Sequence, residues 1–333
     1  MIVSPRCMLR LMSTRELGHT GIHVSPIGLG TMQFSGAGLI SAFFRPLPQS
    51  QVDVIVKTAV DGGINWFDTA EAYGRGKSER RLSSGLEYAG IKPGDATVAT
   101  KWAPLLRTAK SIERTIGDRE VALDPFTVDL HQIHTGYGSF SPVRTEVEAM
   151  ARLVEACDIR SVGVSNFSAR QMEIAHETLA ARGIPLATNQ VQINLLHRKI
   201  ETNGVLDTAR RLGVTLIAYS PLASGMLTGK FHDDRSLVAE LPRARRLVTG
   251  MTDKRLDRTA PLIDGMREIA AAHDASISQV ALAWLITYYG DTVVAIPGAS
   301  KPHHAKEAAG AMKIALSGQE TQRLAELSTA VTG

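Results

Sequence analysis

At 333 residues, 44% of them hydrophobic, the chain can bury one large core, a length at which α/β barrels commonly form as one unit. Its formal charge of +4 comes from 37 basic and 33 acidic residues interspersed from end to end, without the basic stripe or tail of a nucleic-acid binder. Two cysteines, Cys7 and Cys157, make neither a disulfide framework nor a zinc set, and no apolar run approaches the ~20 residues of a membrane span, so a reducing, cytoplasmic setting without nucleic acid or membrane is expected.

The first stretch, MIVSPRCMLRLM, is broken by Pro5, Arg6 and Arg10 and lacks the continuous apolar segment of a signal peptide. Met12 offers a second start. Residues 1–12 are therefore read as a non-structural extension and 13–333 as one domain. Short apolar, β-branched runs then predict strands at 24–30, 64–69, 96–102, 127–134, 159–165, 186–192, 214–219 and 292–297. Helical spacing predicts helices between them. Segment 143–156 carries Val147, Met150, Leu153 and Val154. Segment 168–182 opens on Ser168 as an N-cap and stops before Gly183, and segment 201–212 stops at Gly213.

Eight strands alternating with helices imply a parallel sheet, either a closed (β/α)8 (TIM) barrel or an open doubly wound sheet. The open form that binds dinucleotides carries G-x-G-x-x-G after its first strand. Here Gly28 and Gly30 lead to Gln33, Gly36 and Gly38 to Ser41, and Gly74 and Gly76 to Glu79. The single-domain barrel is the expected fold.

Barrel chemistry gathers at the C-terminal strand ends. Strand two ends in Asp68, and its loop presents Tyr73. The third ends in Lys101, the fourth in His134, the fifth in Ser165 and Asn166, and the seventh in Tyr219 and Ser220. Singly, each reads more readily as structural: Asp68 as a helix cap or buried salt-bridge partner, Tyr73 as a loop tyrosine packed on Gly74, and Lys101 as a snorkelling cation. His131 and His134 lie three apart on a strand, hence on opposite faces, so no metal site is expected. Together the four ionisable groups make a coherent set. Carbonyl reduction needs a proton for oxygen as hydride reaches carbon. A lysine beside a tyrosine stabilises the phenolate and lowers the phenol's pKa, a carboxylate fixes the lysine, and a histidine orients the substrate oxygen.

At these residues the sequence resembles the aldo-keto reductase family. The stretches LGHTGIHVSPIGLGTM, GINWFDTAEAYGRGKSE, VATKW, VDLHQIH, SVGVSNFS, TNQVQINLL, LIAYSPLASGMLTGKF and VVAIPGASKP carry the likeness over residues 16–312. The resemblance implies a catalytic tetrad of Asp68, Tyr73, Lys101 and His134, with Tyr73 as general acid–base. It implies an NADP(H) cofactor, NAD(H) being the other nicotinamide the motifs admit, and a small-molecule carbonyl or alcohol as substrate. Gly30, Thr31, Met32 and Asp68 border the cofactor. Ser165, Asn166 and Gln190 hold the nicotinamide carboxamide, and Tyr219 stacks beneath the ring. Ser220, Pro221, Leu222, Gly225, Leu227 and Lys230 wrap the pyrophosphate, where missing side chains let backbone N–H groups approach. Gly298, Ser300, Lys301 and His304 face the adenosine 2′-phosphate.

The chain departs from the family in carrying His304 where relatives have an arginine and Ala308 where they often have an asparagine, so its choice between NADP and NAD is left open. Thr135-Gly136-Tyr137 after His134 also differs. Arg243, Arg245 and Arg246 suit a solvated loop or an anionic cofactor. Phe34, Phe43, Phe44, Trp102 and Tyr137 are candidates for an aromatic lining, with packing an equal reading of each. Three other functions fit the motifs: a dehydrogenase of a sugar or pyridoxal-like alcohol, a cofactor-binding regulatory subunit resembling potassium-channel β subunits, and a Schiff-base aldolase using Lys101. The substrate and the oligomeric state are not legible.

Overall fold

A computed structural model describes residues 14–36 and 46–332. The expected extension at 1–12 and the candidates Phe43 and Phe44 lie outside the described residues.

Strands β1 (Arg15–Glu16) and β2 (His23–Val24) pair antiparallel. All eight predicted strands then enter one parallel sheet: β3 (Leu29–Gly30), β4 (Trp66–Asp68), β5 (Thr97–Trp102), β6 (Leu130–Ile133), β7 (Ser161–Ser165), β8 (Leu186–Gln192), β9 (Thr215–Tyr219) and β10 (Val293–Ala295). They lie in sequential order, as consecutive β–α units with one crossover sense arrange them. Parallel bridges pair Ile27 with Ala295 and Gly30 with Gly298, so chain around β3 meets chain around β10. Gly28 N–H donates to the Ala295 carbonyl at 2.8 Å. Gly28 permits that approach, because a Cβ there would lie 2.3 Å from the Trp66 ring.

The run predicted at 24–30 divides in two. Val24 belongs to the hairpin, and only Leu29–Gly30 joins the sheet as a strand. Pro26 between them has no N–H to give a ladder. The helix predicted at 201–212 also starts late, at Val205, after a short 3-10 turn over Lys199–Glu201. Gly204, at φ 79°, is its N-cap and Gly213, at φ 66°, its C-cap; left-handed backbone at both sets its length. Helix Val143–Glu155 matches its expectation, and helix Ala169–Ala180 opens with Ser168 in a capping box with Gln171.

Alternation along the strands builds two cores. Val98 packs with helix residues Leu82, Leu86, Ile112 and Ile116 in the layer outside the sheet. Its neighbour Ala99 joins Trp66, Leu130, Ala187, Ile217 and Val294 in a second cluster, where the hairpin's Leu17, Ile22 and Val24 also pack. The hairpin thereby covers the N-terminal ends of the strands. Two residues further along the same face, apolar side chains give way to polar ones: Trp66 to Asp68, Ala99 to Lys101, Leu130 to Gln132, Ile217 to Tyr219. Polarity is thus concentrated at the C-terminal end.

Among the described residues no single helix is long and apolar enough to cross a membrane.

Candidate active site

Lys101 is fully buried, and a buried ammonium is tolerated only with partners that replace water. It has them. Its Nζ pairs with Asp68 Oδ1 and donates to the Thr69 carbonyl at 2.8 Å. The other oxygen of Asp68 accepts Gln132 Nε2 at 3.0 Å and Gln190 Nε2 at 2.8 Å. Burial pulls the Lys101 pKa down and is the largest single influence. Asp68 and Tyr73 together outweigh it and hold the ammonium above its ordinary value.

Tyr73 reaches this pair from the turn after β4. Its N–H donates to the Ala70 carbonyl at 3.0 Å, and its own carbonyl accepts Ser78 N–H at 3.1 Å. Gly74, at φ 71°, lets the turn close, since a Cβ there would sit 2.6 Å from the Ser35 carbonyl oxygen. Lys101 Nζ lies 5.2 Å from the Tyr73 ring centroid, close enough for its charge to act on the phenol. The His134 ring meets Tyr73 edge-on, centroids 5.8 Å apart. Asp68, Tyr73, Lys101 and His134 therefore share one site.

One part of the sequence-based expectation is reversed. Lys101 does pull the Tyr73 pKa downward, but burial is the larger influence and leaves the phenol above its ordinary value. Tyr73 is accordingly protonated at neutral pH. Burial, seconded by Lys101, pushes His134 down to about 3, so its imidazole is neutral and serves as a hydrogen-bonding group. His131, also at about 3, lies instead with Arg119, Arg107 and Thr100.

Beside this quartet Ser165 Oγ donates to the Gln190 carbonyl at 2.9 Å. Asn166, left-handed at φ 58°, donates from Nδ2 to Ser165 Oγ at 3.0 Å, and the Tyr219 hydroxyl donates to Asn166 Oδ1 at 3.1 Å. Gln190 spends its amide N–H on Asp68. Thr31 is buried, its Oγ1 bonded to the Asp68 carbonyl at 3.0 Å, between Gly30 and half-buried Met32. The segment after Tyr219 winds through left-handed backbone at Ser220, Ala223, Ser224 and Gly225. Such alternation turns successive N–H groups toward one concave side, a form that suits anions. Pro221 and Leu227 are buried, with Leu222 partly so, which leaves their backbone as the surface available there.

Cations collect next to that segment. Lys230 is shifted down by burial, then by Arg245 and Lys301. Arg245 Nη2 reaches the Ser224 carbonyl at 3.2 Å. His304 falls to about 4, through burial and then His303, Lys230 and Lys301, and its Nδ1 accepts Ser300 N–H at 3.3 Å. Gly298 lies under Gln33, where a Cβ would be 2.3 Å from Nε2, and Gln33 Oε1 is buried without a protein partner. A backbone cradle, three converging cations and an orphaned amide oxygen fit a phosphate-bearing dinucleotide.

Phe34 and Trp102 pack in the outer core, Trp102 Nε1 bonding Ser111 Oγ at 3.0 Å, and do not line the site. Tyr137 is 73% exposed. Gln132 and Gln33 were not singled out from sequence. Gln132 could have been found by stepping back two residues from His134 along its strand, whereas Gln33 gives no local signal.

Residues 26–329 match the model of the aldo/keto reductase family. The chain is 31% identical over 320 residues to a chloroplastic pyridoxal reductase of Arabidopsis thaliana, covering 91% of this chain and 83% of that protein. It is 36% identical over 310 residues to an uncharacterized oxidoreductase of Mycobacterium tuberculosis, covering 92% and 90%. Among solved structures, the glycerol dehydrogenase of Gluconobacter oxydans superposes with a TM-score of 0.81 at 27% identity, over 96% of both chains. An aldo-keto reductase from Klebsiella pneumoniae in complex with NADPH gives 0.72 at 25%, over 95% of both.

Proposed function

The chain belongs to the aldo/keto reductase family, and we propose that it is a single closed (β/α)8 barrel that reduces small-molecule aldehydes or ketones with Tyr73 as proton donor. It is an NAD(P)(H)-dependent oxidoreductase acting on carbonyl or alcohol groups, with NADP(H) as cofactor. When bound, the nicotinamide would supply the hydride-transfer chemistry. Ser165, Asn166 and the free amide oxygen of Gln190 are suited to its carboxamide and Tyr219 to its ring. Ser220–Lys230 and Arg245 suit the pyrophosphate, and Ser300, Lys301 and His304 the 2′-phosphate.

In this reading neutral His134 donates a hydrogen bond to the substrate oxygen and sets its direction. Tyr73 O–H gives its proton to that oxygen as negative charge develops there. Lys101 stabilises the phenolate left behind, and Asp68, held by Gln132 and Gln190, keeps Lys101 in place. Alcohol oxidation runs the same groups in reverse. The observation that carries the proposal is a phenol ring with a fully buried ammonium 5.2 Å from its centroid and an imidazole meeting it edge-on. Tyr73→Phe is expected to lower NADPH-dependent aldehyde reduction by at least ~10²-fold, the scale of a lost general acid. Undiminished turnover would remove Tyr73 from that role.

A second reading is a dehydrogenase running oxidatively on a sugar or pyridoxal-like alcohol: the neighbour named glycerol dehydrogenase supports its direction, whereas the relative named pyridoxal reductase supports reduction. Rates with NADP⁺ and NADPH across pH separate the two directions. Steady NADPH consumption with aldehydes separates either from a regulatory, cofactor-binding role.

A further inference from the structure

Behind the turn that carries Tyr73 lies a second set of charged side chains with no part in the chemistry above. Glu71 is at its centre, its side chain 11% exposed. Oε1 accepts the Ala103 N–H at 2.6 Å and the Arg107 guanidinium, and Oε2 accepts Arg119 Nη1 at 2.7 Å. Its backbone is held as well: Glu71 N–H donates to the Lys101 carbonyl at 3.2 Å, and its carbonyl accepts Gly76 N–H at 3.1 Å. Arg119 also reaches buried Glu79 at 3.1 Å, and Glu79 accepts Thr100 Oγ1 at 2.6 Å on the strand that carries Lys101.

Arg107 extends the set toward the substrate side. Its side chain bonds the Ala103 carbonyl at 3.1 Å and Ser111 and Thr115 at 3.0 Å each. Its carbonyl accepts Phe140 N–H at 2.9 Å, and Leu106 N–H reaches the Gly138 carbonyl at 2.8 Å. The loop after β5 is thus sewn to the loop that begins at His134. Glu71 is two residues from Tyr73, and Ala103, whose N–H donates to its carboxylate, is two residues from Lys101.

We infer that Glu71 is a positioning residue: its carboxylate joins the Tyr73 turn to the strand end bearing Lys101 and, through Arg107, to the loop following His134. It touches neither reacting atoms nor cofactor contacts. Its effect is to hold donor, ammonium and imidazole in register, and register errors near 1 Å cost on the order of 10²-fold in rate. The inference rests on Tyr73 being the proton donor.

The test compares the full chain with Glu71→Ala, Glu71→Gln and Glu71→Asp. Three quantities are measured: NADPH affinity by fluorescence, steady-state kcat and KM for an aldehyde, and the single-turnover rate of NADPH oxidation, which counts only cofactor-loaded molecules. Glu71→Ala should lower both kcat and the single-turnover rate about 10-fold or more, with NADPH affinity within about twofold of wild type. Glu71→Gln, which keeps an acceptor for Ala103, should recover most of that loss. A wild-type single-turnover rate in Glu71→Ala overturns the inference, as does a kcat loss matched only by a smaller cofactor-binding fraction. Should the alanine variant fail to fold, Glu71→Asp decides: it keeps the charge but is too short to span Ala103 and Arg119, so it must also slow the single turnover. An inactive wild type would instead count against the reductase reading itself, whereas an active wild type with an equally active Glu71→Ala counts only against Glu71.

Discussion

Replacing Lys101 by methionine separates the electrostatic role of the ammonium from its volume. The Lys101 charge lies 5.2 Å from the Tyr73 ring centroid. At an effective dielectric of about 20, two unit charges at that distance attract by about 3 kcal/mol, which is about 10²-fold if expressed wholly at the transition state. Lys101→Met is therefore expected to reduce kcat for alcohol oxidation by about 10²-fold and to move the onset of oxidative activity to higher pH, because burial then acts on the phenolate unopposed. The substitution also leaves Asp68 buried with only Gln132 and Gln190 as side-chain donors. Breaking a buried ion pair costs about 3–5 kcal/mol, a large part of a typical ~5–15 kcal/mol total. Lys101→Met/Asp68→Asn removes both charges and serves as the control: it should regain thermal stability without regaining turnover. Activity within a few-fold of wild type in Lys101→Met, or activity restored by Asp68→Asn, would refute the electrostatic argument.

Two further outcomes follow from the same structure. Lys301→Ala should weaken NADPH binding about 10-fold, the scale of one charge-assisted contact, and leave NADH binding within about twofold; equal losses for both, measured by titration, would place Lys301 away from the 2′-phosphate. Glu146, 2% exposed on helix Val143–Glu155, is raised to about 7 by burial, with Ser139 opposing. A carboxyl raised on folding stabilises the protein below its unfolded value near 4.5, and that contribution is lost as pH rises through about 7. Glu146→Gln should thus be more stable than wild type at pH 8 by about 3 kcal/mol, with the gain vanishing near pH 4; a melting-temperature difference independent of pH would contradict this.

Much of this molecule is legible locally. Eight β-branched runs announced eight strands, since a strand buried on both faces must be apolar along its length. Asp68, Lys101 and His134 stood out because packing alone does not choose ionisable groups for strand ends, and Ser168 and Gly213 marked helix limits through backbone hydrogen bonding and φ. What local pattern could not supply is whatever depends on partners distant in sequence. Pro26 breaks its run by withholding one donor, and Gly204 shortens a helix through a φ that no neighbouring residue reveals. Gln132 and Gln190 reach Asp68 across 64 and 122 residues. Glu71 resembles any loop carboxylate until Arg107 and Arg119 are folded against it. The net shift of Tyr73 was likewise decided in three dimensions, for it is a balance between one cation's attraction and the desolvation imposed by every surrounding group. Sequence determined which residue types stand at each strand end; tertiary structure determined their environment, because burial and charge act through space and not along the chain.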